Sequence, residues 1–171
     1  MSVLAACDIW GFAGWAYTEG TFDRGTSHEA FINSILPLLN KWPGPRSICI
    51  IDNASIHRYP ELEAACARVG ALLIYAAPYT PHLNPIEYAF SLVKKILQKE
   101  CKVAWETDVG ATLDYAMREA TNDLREVYKH CGFGYFGKLN FEISDVNDET
   151  SANVGGPVEL ERILVDCSVL T

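Results

Sequence analysis

The chain opens with two runs rich in apolar and small residues, 2–9 and 12–19, broken at Gly11. Their β-favouring composition and the intervening glycine predict an antiparallel hairpin. From Ser27 the spacing changes. Phe31, Ile35, Leu38 and Leu39 recur at helical intervals, which predicts an amphipathic helix opened at Ser27 and ended by Trp42-Pro43-Gly44-Pro45. Residues 47–51 and 71–76 are nearly unbroken apolar runs, the pattern of strands covered on both faces. Residues 60–69 read as a helix with Gly70 as its stop. Helices over 84–99 and 110–130, the second closed by Gly132, complete the pattern. The order β-β-α-β-α-β-α-α predicts an α/β fold, a mixed sheet flanked by helices. Its crossover from 47–52 to 71–76 is expected to be parallel and right-handed.

That order gives two acids a special place. Asp52 ends the apolar run 47–51, at a strand's carboxyl edge, where ligands gather in open α/β sheets. Glu87 falls in the first turn of the helix that opens at Asn84-Pro85. Two hard oxygen ligands converging on one point can hold Mg²⁺ or Mn²⁺, the equipment for metal-assisted phosphodiester chemistry. Each acid also has a plainer reading. Asp52-Asn53 suits a turn, and Asn84-Pro85-Ile86-Glu87 suits a capping box. His57 is by default a structural histidine near a helix start, with contact to a phosphate or to a metal's outer shell as the alternative. Asn53 is a candidate for orienting Asp52. Pro78-Tyr79-Thr80-Pro81 reads as a stiff loop able to touch DNA. Lys94 and Lys95, with Lys99 and Lys102, form either a solvated face or a phosphate contact. Trp10, Trp15 and Tyr17 read as packing residues.

Composition narrows the classes. Apolar content of 49% in 171 residues supports one domain with a core. No apolar run is long enough for a membrane span, and Asp8 interrupts an N-terminus that would make a poor signal peptide. Six cysteines without CxxC pairs argue for an intracellular, reducing compartment over a disulfide framework; Cys49 and Cys66 read as core residues. The net charge of −8 is uneven: residues 141–171 carry seven acids and one arginine. Residues 1–139 are expected to form the domain and 140–171 an acidic, disordered tail. The near-neutral body leaves room for DNA binding through local basic faces.

The segments Asp52-Asn53-Ala54-Ser55-Ile56-His57 and Ala77-Pro78-Tyr79-Thr80-Pro81-His82-Leu83-Asn84-Pro85-Ile86-Glu87 resemble the DDE superfamily of transposase endonucleases, most closely the mariner-like branch. In that family a DNxxxH segment begins with the second catalytic Asp, and a PPYSPxLNPIE segment carries the third acid. Tyr128-Lys129-His130-Cys131-Gly132-Phe133 is similar to the end of the last helix in related sequences. The resemblance implies a ribonuclease-H-like fold and metal-dependent cleavage and transfer of DNA at transposon ends. Asp52 and Glu87 would be its catalytic metal ligands, with Asn53, His57 and Asn84 in support and Lys94 and Lys95 on DNA. It also implies a nuclear location in a eukaryote and a cytoplasmic one otherwise.

The likeness covers roughly residues 2–135, and no segment matches the family's first strand. In relatives that strand bears the first catalytic Asp and lies centrally, beside the strand of Asp52. The sheet is therefore expected to be incomplete and the chain alone inactive. Asp8 could take the first acid's place, or Arg162-Ile163-Leu164-Val165-Asp166 could enter the vacant central position. The hairpin sliding across, or a homodimer, would cover the exposed edges in other ways. Two further readings are a non-catalytic transposon-derived remnant or interaction module, and a phosphohydrolase of a small substrate, which needs a closed pocket with further acids.

Overall fold

The computed structural model describes residues 1–120, 123–133 and 164–170. The hairpin forms as β1 (Ser2–Asp8) and β2 (Gly11–Thr18), paired antiparallel with an irregularity at Ala6/Cys7. Helix α1 (Arg24–Ser34) starts three residues before Ser27. Asp23 caps it by accepting the Thr26 N–H at 2.8 Å, and the Thr26 hydroxyl accepts the Asp23 N–H at 3.0 Å. Polar side chains satisfying the free amides set this start; the apolar spacing alone placed it too late.

Strand β3 (Ile48–Ile51), helix α2 (Pro60–Val69) and strand β4 (Leu72–Tyr75) make the expected parallel βαβ unit. Gly70 stops α2 with φ 77°, a left-handed conformation suited to glycine. β4 is an edge strand, and Leu72 and Ile74 are exposed on it, so only β3 approaches the two-sided burial expected of both. Helix α3 (Pro85–Glu100) matches its prediction closely. The single helix expected over 110–130 is broken instead. A short α4 (Lys102–Thr107) precedes α5 (Val109–Glu119), and α6 (Arg125–His130) follows. Asp108 caps α5 through the Ala111 N–H, and the Asp123 carboxylate accepts the Arg125 N–H at 3.0 Å; both local bonds set helix starts that compete with continuity.

The sheet order is β2-β1-β5-β3-β4, with β5 spanning Leu164–Leu170. β5 runs antiparallel to β1 and parallel to β3. It fills the position expected to be vacant, so the five-stranded sheet is continuous. Of the expected tail, residues 140–163 and 171 lie outside the described residues.

Alternation along β1 divides the core between the two faces. Val3, Ala5 and Cys7 meet Ile86, Phe90, Leu113 and Met117 from α3 and α5. Leu4 and Ala6 meet Phe31 of α1, Ile35 just past its end, and Leu62 and Cys66 of α2. The Tyr128 hydroxyl of α6 donates to the Cys7 carbonyl at 2.9 Å. Gly14 admits α1 closely, since a Cβ there would stand 2.5 Å from the Ser34 carbonyl oxygen. Cys7, Cys49, Cys66, Cys101 and Cys131 are buried, and burial pushes the Cys66 thiol up to about 12.

Cys167 of β5 is in register with both Ala6 and Ile51. Proline at this position removes a ladder donor from the central strand. We expect Cys167→Pro to lower stability by about 2–3 kcal/mol, measured by urea unfolding; an unchanged midpoint would mean that β5 is not seated between β1 and β3.

Candidate metal-binding cleft

Asp52 follows β3 directly. Its Oδ1 accepts the Ala54 N–H at 3.1 Å, a local turn bond of the kind aspartate favours. The chain then makes a 3₁₀ turn, Ser55–His57, which carries His57 back beneath Asp52. His57 is buried, and its Nε2 stands 3.4 Å from Asp52 Oδ1 without forming a hydrogen bond. Its carbonyl accepts from the Tyr75 hydroxyl at 3.1 Å, which ties the turn to β4.

Glu87 arrives on α3. Ile86, Ala89, Phe90 and Val93 are the buried stripe of this helix, and their spacing fixes which face turns to the sheet. Asn84 is the N-cap and Pro85 starts the helix, but the Asn84 side chain makes no capping bond. The capping box expected from Asn84 and Glu87 is therefore not formed.

Asp52, Asn53, Asn84 and Glu87 line one cleft of about 510 Å³, together with Arg58 and Tyr79. The cleft is open to solvent, unlike the closed pocket that a small-substrate phosphohydrolase requires. Arg58 and the backbone of Tyr79 are features the sequence reading did not single out. Arg58 sits over the Tyr75 ring at 5.5 Å; its only signal was its place directly after His57. Tyr79 is fully exposed with φ 59°, an uncommon conformation for a bulky residue, held between Pro78 and Pro81. Lys94 and Lys95 are exposed on α3, beyond the cleft lining. Lys94 is seven residues past Glu87, on the same helical face and about 10 Å along the axis. Trp15 packs as expected, with its indole N–H donating to Asp114 at 2.7 Å, whereas Trp10 and Tyr17 are about half exposed.

Asp8 does not join this group. Arg46 holds its carboxylate at 2.8 Å and the Trp10 N–H donates to it. β1 runs opposite to β3, so Asp8 lies toward the other edge of the sheet from Asp52.

Residues 1–107 match the family described as DDE superfamily endonuclease, more than half of the chain and a span that includes both acids of the cleft. The chain belongs to this family. No curated protein and no solved structure matches it. This DDE superfamily domain has the mixed α/β, ribonuclease-H-like architecture implied by the resemblance. The family match ends with α4, so α5, α6 and β5 lie beyond it. Among the described residues no helix is long and apolar enough to cross a membrane.

Endonucleases of this superfamily generally use divalent metals. The donor set of the cleft fits such an ion. Two carboxylates are hard oxygen donors, and beside them Asn53 Oδ1 and His57 Nε2 are buried polar atoms without a hydrogen-bond partner. Such orphans are costly unless something outside the protein meets them. Among the described residues, however, no three His, Cys, Asp or Glu side chains converge as a metal site.

Burial holds the His57 imidazole below its ordinary 6.5, and Asp52 opposes the shift. A depressed folded-state pKa means that the unfolded chain takes up the proton first on acidification. The neutral ring's contribution is complete above pH about 6.5 and is lost as pH falls toward the folded-state value. In EDTA, His57→Gln should therefore lose less stability than the parent between about pH 7 and pH 5, read from urea midpoints. Parallel pH profiles would rule out a buried neutral His57.

Proposed function

We propose that this chain is a transposase-type domain for metal-dependent DNA strand cleavage and transfer, in which Asp52 and Glu87 hold Mg²⁺ or Mn²⁺. The observation that supports it best is the single open cleft lined by both acids, with the orphaned Asn53 and His57 atoms beside Asp52. Nucleases of this superfamily act on DNA, and an open cleft can admit a polymer. A bound divalent cation polarises the phosphodiester and makes water or a 3′-hydroxyl a stronger nucleophile.

The chain's own groups supply the rest. Asp52 and Glu87 project from a strand end and a helix start, two rigid supports. The N-terminus of α3 brings its positive dipole end to the cleft, which favours the Glu87 carboxylate and an incoming phosphate. Arg58 on the cleft wall and Lys94 on the Glu87 face of α3 are placed for phosphates on either side, with Lys95 next to it; these contacts position DNA without reading sequence. Tyr79 offers an exposed ring for an unpaired base. The transposon end is the substrate implied by this reading.

A non-catalytic remnant is the second reading, favoured by the presence of only two acids in the described cleft lining. Nicking of supercoiled plasmid separates the two. We expect Mn²⁺-dependent nicking by the parent chain that Asp52→Ala reduces to the metal-free background; no metal-dependent nicking in the parent, or the same rate in the variant, would favour the remnant. Tyr79→Ala should weaken single-stranded DNA binding by about 1–3 kcal/mol with an unchanged melting temperature, as measured by fluorescence anisotropy and thermal unfolding.

A further inference from the structure

Tyr79 is the aromatic residue in the cleft lining, which it shares with Asp52, Glu87 and Arg58. An exposed tyrosine on a loop is ordinary by itself. This one combines full exposure with a backbone φ of 59°. A bulky residue adopts that conformation at a cost, and it persists only where the surroundings enforce it. Here they do. Pro78 and Pro81 stiffen the loop on either side. The Thr80 hydroxyl donates to the Ala77 carbonyl at 2.8 Å, and the Leu83 N–H donates to the Thr80 carbonyl at 3.0 Å. The ring gains no burial from this constraint, so the core is not what the strain serves. The loop instead holds a flat, apolar face out at the cleft.

Such a face distinguishes two forms of DNA that the rest of the cleft treats alike. Contacts to phosphate, from Arg58 or from a cation on the acids, are the same whether or not the bases are paired. Stacking is different, because inside a duplex both faces of a base are covered by its neighbours. The cleft volume of about 510 Å³ is on the scale of one small-molecule ligand, such as a single nucleotide. A paired helix, whose major groove alone is about 12 Å wide, cannot lower a base face into it. An unpaired nucleotide can place its base on Tyr79 while its phosphate meets the polar side of the cleft. The loop is fixed before binding, so little freedom is lost when the base arrives.

We propose that the cleft takes an unpaired nucleotide, so that this domain engages DNA where the strands are locally open in preference to fully paired duplex, and that Tyr79 sets the preference. The proposal rests on the reading that the cleft faces DNA phosphates, and it adds the form of DNA, since a phosphate site alone accepts either form.

Fluorescence anisotropy with two duplexes of equal length and charge tests it, one fully paired and one with a short mismatched bubble. We expect the parent chain to bind the bubble roughly 5- to 150-fold more tightly, the equivalent of about 1–3 kcal/mol for one stacked base. Tyr79→Ala should bind both duplexes alike, at the parent's affinity for the paired one. Tyr79→Phe, which keeps the ring, should retain the preference. A third duplex carries abasic sites in the bubble, with its phosphates and flexibility kept and its stacking faces removed. The parent should bind it like the paired duplex, and this arm decides even if Tyr79→Ala does not fold. Equal affinity of the parent for bubble and paired duplex overturns the proposal, as does a preference that survives Tyr79→Ala or the abasic bubble. A parent that nicks plasmid through Asp52 but shows no bubble preference keeps the metal reading and loses this one. A parent that binds none of the duplexes loses both.

Discussion

The double pairing of β5 is the constraint on which the rest of the architecture depends. The hairpin and the βαβ unit share no strand pairing with each other; the ladder of the sheet joins them through β5. Without it, β1 and β3 would each present an unpaired row of amides and carbonyls in the middle of the fold, the most adhesive surface a sheet can offer. Two hydrophobic layers also depend on that continuity. α3 and α5 cover one face of β1, α1 and α2 the other, and both layers need a sheet wide enough to lie on. Closing a sheet with a strand distant in sequence costs loop entropy, but that cost grows only slowly with loop length.

The cleft follows from this frame. β3 ends where the sheet ends, so the next residue, Asp52, stands at the rim. α3 crosses the same rim because Ile86, Ala89, Phe90 and Val93 seat it against the sheet, which leaves Glu87 facing outward at its start. Positions fixed by burial on one side thus aim chemistry on the other. The unmet polar atoms of Asn53 and His57 are the local departure from good packing, and such departures concentrate where a fold serves a ligand.

Much of this was legible in the sequence, for physical reasons that differ by element. β3, α2 and α3 could be read because apolar periodicity and strong punctuation agreed: Pro60 and Gly70 bound α2, and Asn84-Pro85 opens α3. The pair Asp52 and Glu87 could be read because both follow directly from those boundaries. The start of α1 was misplaced because Asp23 and Thr26 signal a cap through polar bonds, which hydrophobic spacing does not register. The helix over 110–130 was drawn too long because the restart at α6 rests on Asp123, a single polar residue in a periodic run. β4 looked buried from its apolar letters, yet its place at the sheet edge leaves Leu72 and Ile74 exposed. Strand order is a tertiary property, so only the structure could choose among the ways of filling the centre. The strain at Tyr79 likewise has no signature beyond the prolines around it.

The position of β5 in the chain also bears on how the protein is made. It is the last described strand in sequence and the middle one in space. During synthesis the hairpin and the βαβ unit leave the ribosome well before the strand that unites them. Each must wait as a half-finished sheet with an open side, exposed to capture by a neighbouring nascent chain. The nascent polypeptide is thus most vulnerable before residues 164–170 have cleared the exit tunnel, and chaperone dependence should ease after that point.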